Sequence, residues 1–111
     1  MQPVVSDELK HTVESELALL GLVADRVDAY RFGDREWSVT LHVQGRTFAI
    51  GWVHRDGWCC SESTEGQRKD FVSPDVRVTK RDHDRLRKEG LATIRYAVVH
   101  PDFQGVTHPV I

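Results

Sequence analysis

Between Arg35 and Glu62 the chain reads REWSVTLHVQGRTFAIGWVHRDGWCCSE, a nearly unbroken alternation of apolar and polar residues interrupted by two turn dipeptides. A side-chain period of two marks a strand with one buried face. Trp37, Val39, Leu41 and Val43 share one face, and Ser38, Thr40, His42 and Gln44 share the other. The sheet built on this strand therefore turns one side to a core and the other to water or a partner. Gln44-Gly45 and Asp56-Gly57 read as hairpin turns, because a type I′ turn needs positive φ at both central residues. The stretch also holds all three tryptophans and both cysteines.

After Gly45, Phe48, Ile50 and Trp52 form a large face and Ala49, Gly51 and Val53 a small one. With Asp56-Gly57 as a two-residue loop, Arg55 pairs with Trp58, His54 with Cys59 and Val53 with Cys60. That register places Trp58 and Cys60 on the small-residue face, away from Trp52. Trp58, beside Arg55, is then expected at the surface, where tryptophan with arginine is typical of the energetic centre of protein interfaces. The alternative cover for that face is the tail, with Phe103, Val106, Val110 and Ile111 folded back over it.

Elsewhere the pattern is mixed. Ser6 is an N-cap with Asp7 and Glu8 in the first turn, and Leu9, Val13, Leu17 and Leu20 form one apolar stripe, so the spacing predicts a helix over 6–20 stopped by Gly21. Residues 25–32 read as a strand, and Gly33-Asp34 as a tight turn. Residues 61–75 are polar with glycine and proline and read as a mobile loop. Thr79 followed by Asp82 resembles a capping box for a helix over 80–89 ended by Gly90. Residues 92–99, ATIRYAVV, are rich in strand formers. Residues 1–5 and 100–111 read as irregular tails.

These elements predict a single α+β domain over 1–111. Its antiparallel sheet has four to five strands (25–32, 35–44, 46–54, 58–62 and 92–99), with helices 6–20 and 80–89 packed on it. The element order of the first 62 residues resembles the secretion-chaperone-like fold, which implies an architecture and no activity.

A chain of 111 residues supports one domain, and its 40% hydrophobic and 29% charged residues are those of an ordinary globular fold. A formal net charge of −2 supplies no global attraction to nucleic acid or to an anionic membrane. No apolar run approaches a membrane span, and the N-terminus lacks the pattern of a signal peptide. The adjacent Cys59 and Cys60 resist bridging and read as reduced thiols, so the expected address is the cytoplasm.

Few residues carry a chemical signature. Cys59, Cys60 and His54 could be drawn as a thiol or metal site, but the spacing of zinc ligands is absent and alternation sends the two thiols to opposite faces. None of the six histidines lies in a metal-binding repeat, and no nucleophile elbow or phosphate-cradling loop is present, so no metal, cofactor or catalytic residue is expected. The segment 77–88 sets Arg77, Lys80, Arg81, Arg85, Arg87 and Lys88 against Asp82 and Asp84, which would suit phosphate contacts were the aspartates not spaced to pair with Arg85 and Lys88. Three readings follow. The leading one is a small non-enzymatic adaptor or inhibitor, bacterial or phage in origin, working through a protein partner or homodimer at Trp58, Arg55, Trp52 and His54. The others are a nucleic-acid-binding protein using Arg77, Lys80, Arg81, Arg85 and Lys88, and a thiol or metal enzyme at Cys59, Cys60 and His54.

Overall fold

The structure, a computed structural model, describes residues 3–33, 36–53, 57–64, 67–71 and 83–103. The order is β1 (Val4–Val5), α1 (Asp7–Leu19), β2 (Arg26–Phe32), β3 (Glu36–Val43), β4 (Arg46–Val53), β5 (Gly57–Thr64), β6 (Gln67–Asp70) and α2 (His83–Val99). The six strands form one antiparallel meander in chain order. The class is α+β as expected, with six strands rather than four or five.

The first helix follows its sequence closely. Ser6 accepts a hydrogen bond from the Leu9 amide, and Leu9, Val13 and Leu17 are buried. At the other end Gly21 takes φ +76°, while Leu22 N–H donates to the Leu17 carbonyl and Gly21 N–H to that of Ala18. That pair of bonds is a Schellman cap, and it works because glycine tolerates the left-handed conformation. Gln44 and Gly45 both have positive φ and close the β3–β4 hairpin as a type I′ turn, with Val43 opposite Arg46.

The β4–β5 hairpin departs from the expected register. Val53 pairs with Gly57, Trp52 with Trp58, Gly51 with Cys59 and Ile50 with Cys60. Three residues, 54–56, therefore lie between the strands instead of two, and Gly57 keeps the positive φ of 71° as the first residue of β5. A three-residue loop followed by a left-handed glycine is the next commonest hairpin, and an odd shift in register moves every side chain of the strand to the other face. Trp58 and Cys60 consequently join Trp52 on the face that already holds Trp37, Val39, Leu41, Phe48 and Ile50. Phe32 likewise pairs with Glu36, so the β2–β3 link has three residues, 33–35, two of them outside the described residues.

Residues 92–99 are not a strand. The second helix runs without interruption through Gly90 to Val99. The glycine read as a stop is instead a point of contact, since a Cβ there would lie 2.9 Å from Ile50 Cγ2 and 2.9 Å from the Trp58 ring. With Gly90 counted as an interior position, Leu86, Gly90, Leu91, Ile94 and Ala97 form one buried stripe at helical spacing. The β-branched residues between 92 and 99 gave a weaker signal than this period.

Two strands also replace expected irregular segments. Val4–Val5 pairs with β2 as an edge, and the segment assigned to a loop carries the end of β5 and all of β6. The β6 sequence QRKD has no apolar residue, so nothing in it signals a strand; its ladder with Ser61–Thr64 supplies what composition does not. The anticipated helix start at 79–82 and residues 65, 66 and 72–75 of the expected loop lie outside the described residues.

Both helices pack on the same side of the sheet, over a core that includes Val13, Leu17, Trp37, Val39, Leu41, Phe48, Ile50, Trp58, Leu91 and Ile94. A cross-strand clash enforces the sheet geometry at a second glycine: a Cβ on Gly51 would sit 2.6 Å from the Trp37 carbonyl oxygen. Alanine at position 90 should lower stability by about 1–2 kcal/mol in urea unfolding, because overpacking outweighs the roughly 1 kcal/mol that alanine gains over glycine in a helix. A Gly90→Ala variant that is more stable than the wild type would show that α2 does not rest on Ile50 and Trp58.

Candidate functional site: the open sheet face

The helix side is closed by three fastenings of α2. At its start, Trp37 Nε1–H donates to His83 Nδ1 over 3.0 Å, which requires that nitrogen to be unprotonated. The imidazole centroid lies 5.4 Å from the Trp52 ring, and Trp37 and Trp58 are 6.2 Å apart. In the middle Gly90 meets Ile50 and Trp58, and Cys60 Sγ–H donates weakly to the Gly90 carbonyl at 3.7 Å. At the end Arg46 donates to the Ala97 carbonyl while gripping Glu62 through two hydrogen bonds of 2.7 Å each. Arg87 pairs with Glu16 and Asp84, which joins α2 to α1.

This arrangement accounts for most of the residues singled out in the sequence. Trp58 is 5% exposed, a core residue and not a surface anchor. Trp52 is partly buried and packs against the same cluster. His54 and Arg55, the other two expected interface residues, lie outside the described residues. Cys60 is buried, and that burial, with smaller contributions from Cys59 and Asp70, pushes its thiol up to about 12. A thiolate nucleophile needs the opposite shift, so Cys60 packs as a small apolar side chain. Cys59 is half-buried on the other face, and the two cysteines are not joined by a disulfide. Among the described residues no three His, Cys, Asp or Glu side chains converge as a metal site.

Of the basic segment, Arg77, Lys80 and Arg81 lie outside the described residues. Arg85 and Lys88 are exposed on α2, and Arg85 lies 3.5 Å from Glu89. Asp84 pairs with Arg87 rather than with Lys88, and that hydrogen bond holds its carboxyl below the usual aspartate range.

The face away from the helices is the larger unassigned surface. The ladder sets its rows. Arg26, His42, Thr47, Ser63 and Arg68 form one, and Asp28, Thr40, Ala49, Ser61 and Asp70 the next. Val5, Tyr30, Ser38, Gly51 and Cys59 form a third. The centre is a floor of small side chains. At one edge stand Tyr30 and Phe32, both half-buried, and Val5, 65% exposed. Among the described residues no helix covers this floor, and Phe103, expected to fold over it, stacks on Phe71 on the helix side with centroids 5.3 Å apart. Residues 106, 110 and 111 lie outside the described residues. Thr47, His42 and Asp28 are neighbours here, but at 3.4 Å and 3.9 Å their contacts are those of a surface side-chain ladder.

The chain matches no protein-family model, no curated protein and no solved structure. No helix among the described residues is long and apolar enough to cross a membrane.

Two measurements test this geometry. Alkylation of the folded protein at mildly alkaline pH should leave Cys60 unmodified by mass spectrometry until urea unfolds the chain, and rapid native-state labelling of Cys60 would contradict its place beneath α2. The Arg46 hydrogen bonds hold the Glu62 carboxyl below the usual glutamate range, so the pair stabilises the fold fully above about pH 4.3 and less as pH falls through the lower folded-state value. Glu62→Gln should cost about 2–3 kcal/mol at neutral pH and flatten the acid limb of the urea midpoint. An acid limb identical to that of the wild type would assign the pH dependence elsewhere.

Proposed function

We propose that the chain is a non-enzymatic binding or regulatory module, adaptor or inhibitor in type, acting through protein–protein contacts on the sheet face opposite its helices. The observation that carries this reading is the one-sided packing. Both helices and all three tryptophans serve one face, and the other offers a small-residue floor edged by Tyr30, Phe32 and Val5. Aromatic side chains beside a floor with room for partner side chains match the composition of interface centres.

The partner proposed is a second copy of the chain. Arg26 and Arg68 lie in one row, Asp28 and Asp70 in the adjacent row, and each arginine already bonds the aspartate of its own strand, at 2.9 Å and 3.0 Å. A two-fold axis running across the strands between these rows would lay each basic row over the acidic row of the other copy, which is the self-complementarity an isologous dimer needs. With a formal charge of −2 per chain, long-range repulsion between copies is small.

Light scattering after size-exclusion chromatography at micromolar concentration tests the proposal. The wild type should run as a dimer, and Thr40→Arg, which sets a charge on the floor, should run as a monomer with an unchanged urea midpoint. A wild type that stays monomeric at this concentration would contradict the two-fold assembly.

A further inference from the structure

We infer that the groove between the two helices binds an anionic amphiphile, an unbranched alkyl chain ending in a carboxylate. The groove has a volume of about 280 Å³ and is lined by Glu16, Leu19 and Leu20 at the end of α1 and by Lys88 and Leu91 of α2.

The helices are tied together at both ends of this groove. Arg87 grips Glu16 at one end, and farther along Arg95 Nε–H donates to the Leu20 carbonyl over 2.9 Å. These two ties fix the spacing between the helices, so the groove is preformed. Its floor is continuous with the core, since Leu91 is fully buried and Leu20 packs against the core cluster. Its outer wall is Leu19, 88% exposed, and Val23 just beyond is 84% exposed. A single exposed leucine is ordinary. Two large aliphatic side chains standing out beside a leucine-floored groove offer an apolar surface with depth.

The acids at this groove are already engaged. Arg87 holds Glu16 through one part of its guanidinium and Asp84 through another. Asp84 is the acid spaced to pair with Lys88, so its capture by Arg87 leaves Lys88 without a hydrogen bond or ion pair among the described residues. An ammonium on a flexible aliphatic stem, at the rim of a leucine-lined groove, complements a carboxylate joined to an alkyl chain. The carboxylate belongs at the Lys88 end. The other end carries the last carbonyls of α1, whose partial negative charge repels an anion, and Arg95 is committed to one of them.

Size selects the occupant. The lining spans about one turn of each helix, roughly 5 Å along the axis. A partner helix with its side chains is roughly 10–12 Å across and would lie over the groove rather than in it. A single chain of medium length fits, with its methylenes against Leu19 and Leu20, so the ligand class is a medium-chain fatty acid.

Amide chemical-shift titration of the full chain tests the site, with octanoate, hexanoate and the neutral octanamide as probes. Octanoate should give saturable shifts centred on residues 16–20 and 88–91. Hexanoate should bind about tenfold more weakly, because each buried methylene contributes about fourfold in affinity. Octanamide should bind about threefold more weakly, the scale of one exposed ion pair. Leu19 and Lys88 are both exposed, so changing them leaves the core intact. Leu19→Ser should weaken octanoate about tenfold, and Lys88→Gln should make octanoate and octanamide bind equally. No saturable shift with octanoate, equal affinity for hexanoate, unchanged affinity in Leu19→Ser, or a Lys88→Gln variant that still prefers octanoate would overturn the inference. So would movement of the same resonances on diluting the protein alone, which would assign the groove to a second copy of the chain. None of these readouts depends on the sheet-face proposal.

Discussion

The missing side chain at Gly90 lets the two layers of this protein meet. A helix crossing a sheet over large residues is held off by them, and here a helix backbone comes close enough that a Cβ would collide with both Ile50 and Trp58. The other fastenings act on the same docking. Trp37 holds the first residue of α2 through His83, and Arg46 with Glu62 holds the carbonyl of Ala97 in the last turn. Burial of Cys60 beneath the Gly90 carbonyl follows from the same contact and makes that thiol structural.

The register of the β4–β5 hairpin decides which face of the sheet can carry function. With a two-residue loop, bulky residues would stand on both sides and each side would need a cover. With three residues in the loop, all three tryptophans gather under α2 and the opposite face keeps serine, threonine, alanine, glycine and Cys59. The functional question thus moves from the hairpin tip to the open floor beside Tyr30 and Phe32.

Elements that depend on local signals are legible in the chain, and longer-range geometry is not. Ser6 with Gly21 bounded α1, the alternation from Trp37 to Val43 defined β3, and Gln44-Gly45 named its turn, because each depends on neighbours in the chain. The loop length at 54–56 depends on which residues pair across the hairpin, and Asp-Gly fits either a two-residue turn or the end of a three-residue one. Gly90 is ambiguous for a similar reason: glycine marks both helix ends and close approaches, and only the contact with Ile50 and Trp58 separates the two. The polar β6 had no local signal at all, since its pairing with β5 supplies its stability. The face offered for binding was legible as polar from the alternation of β3, whereas the expected anchor, Trp58, was assigned to the wrong side by a shift in register.

Nuclear Overhauser contacts from the Trp58 ring test the account most directly, because they report on the hairpin register and the helix docking together. Cross-peaks from the Trp58 indole to the Gly90 α-protons and the Ile50 methyls are predicted. Cross-peaks from Trp58 to the side chains of Ala49 and Ser61, with none to Gly90, would place it on the open face and contradict both the core and the binding surface derived from it.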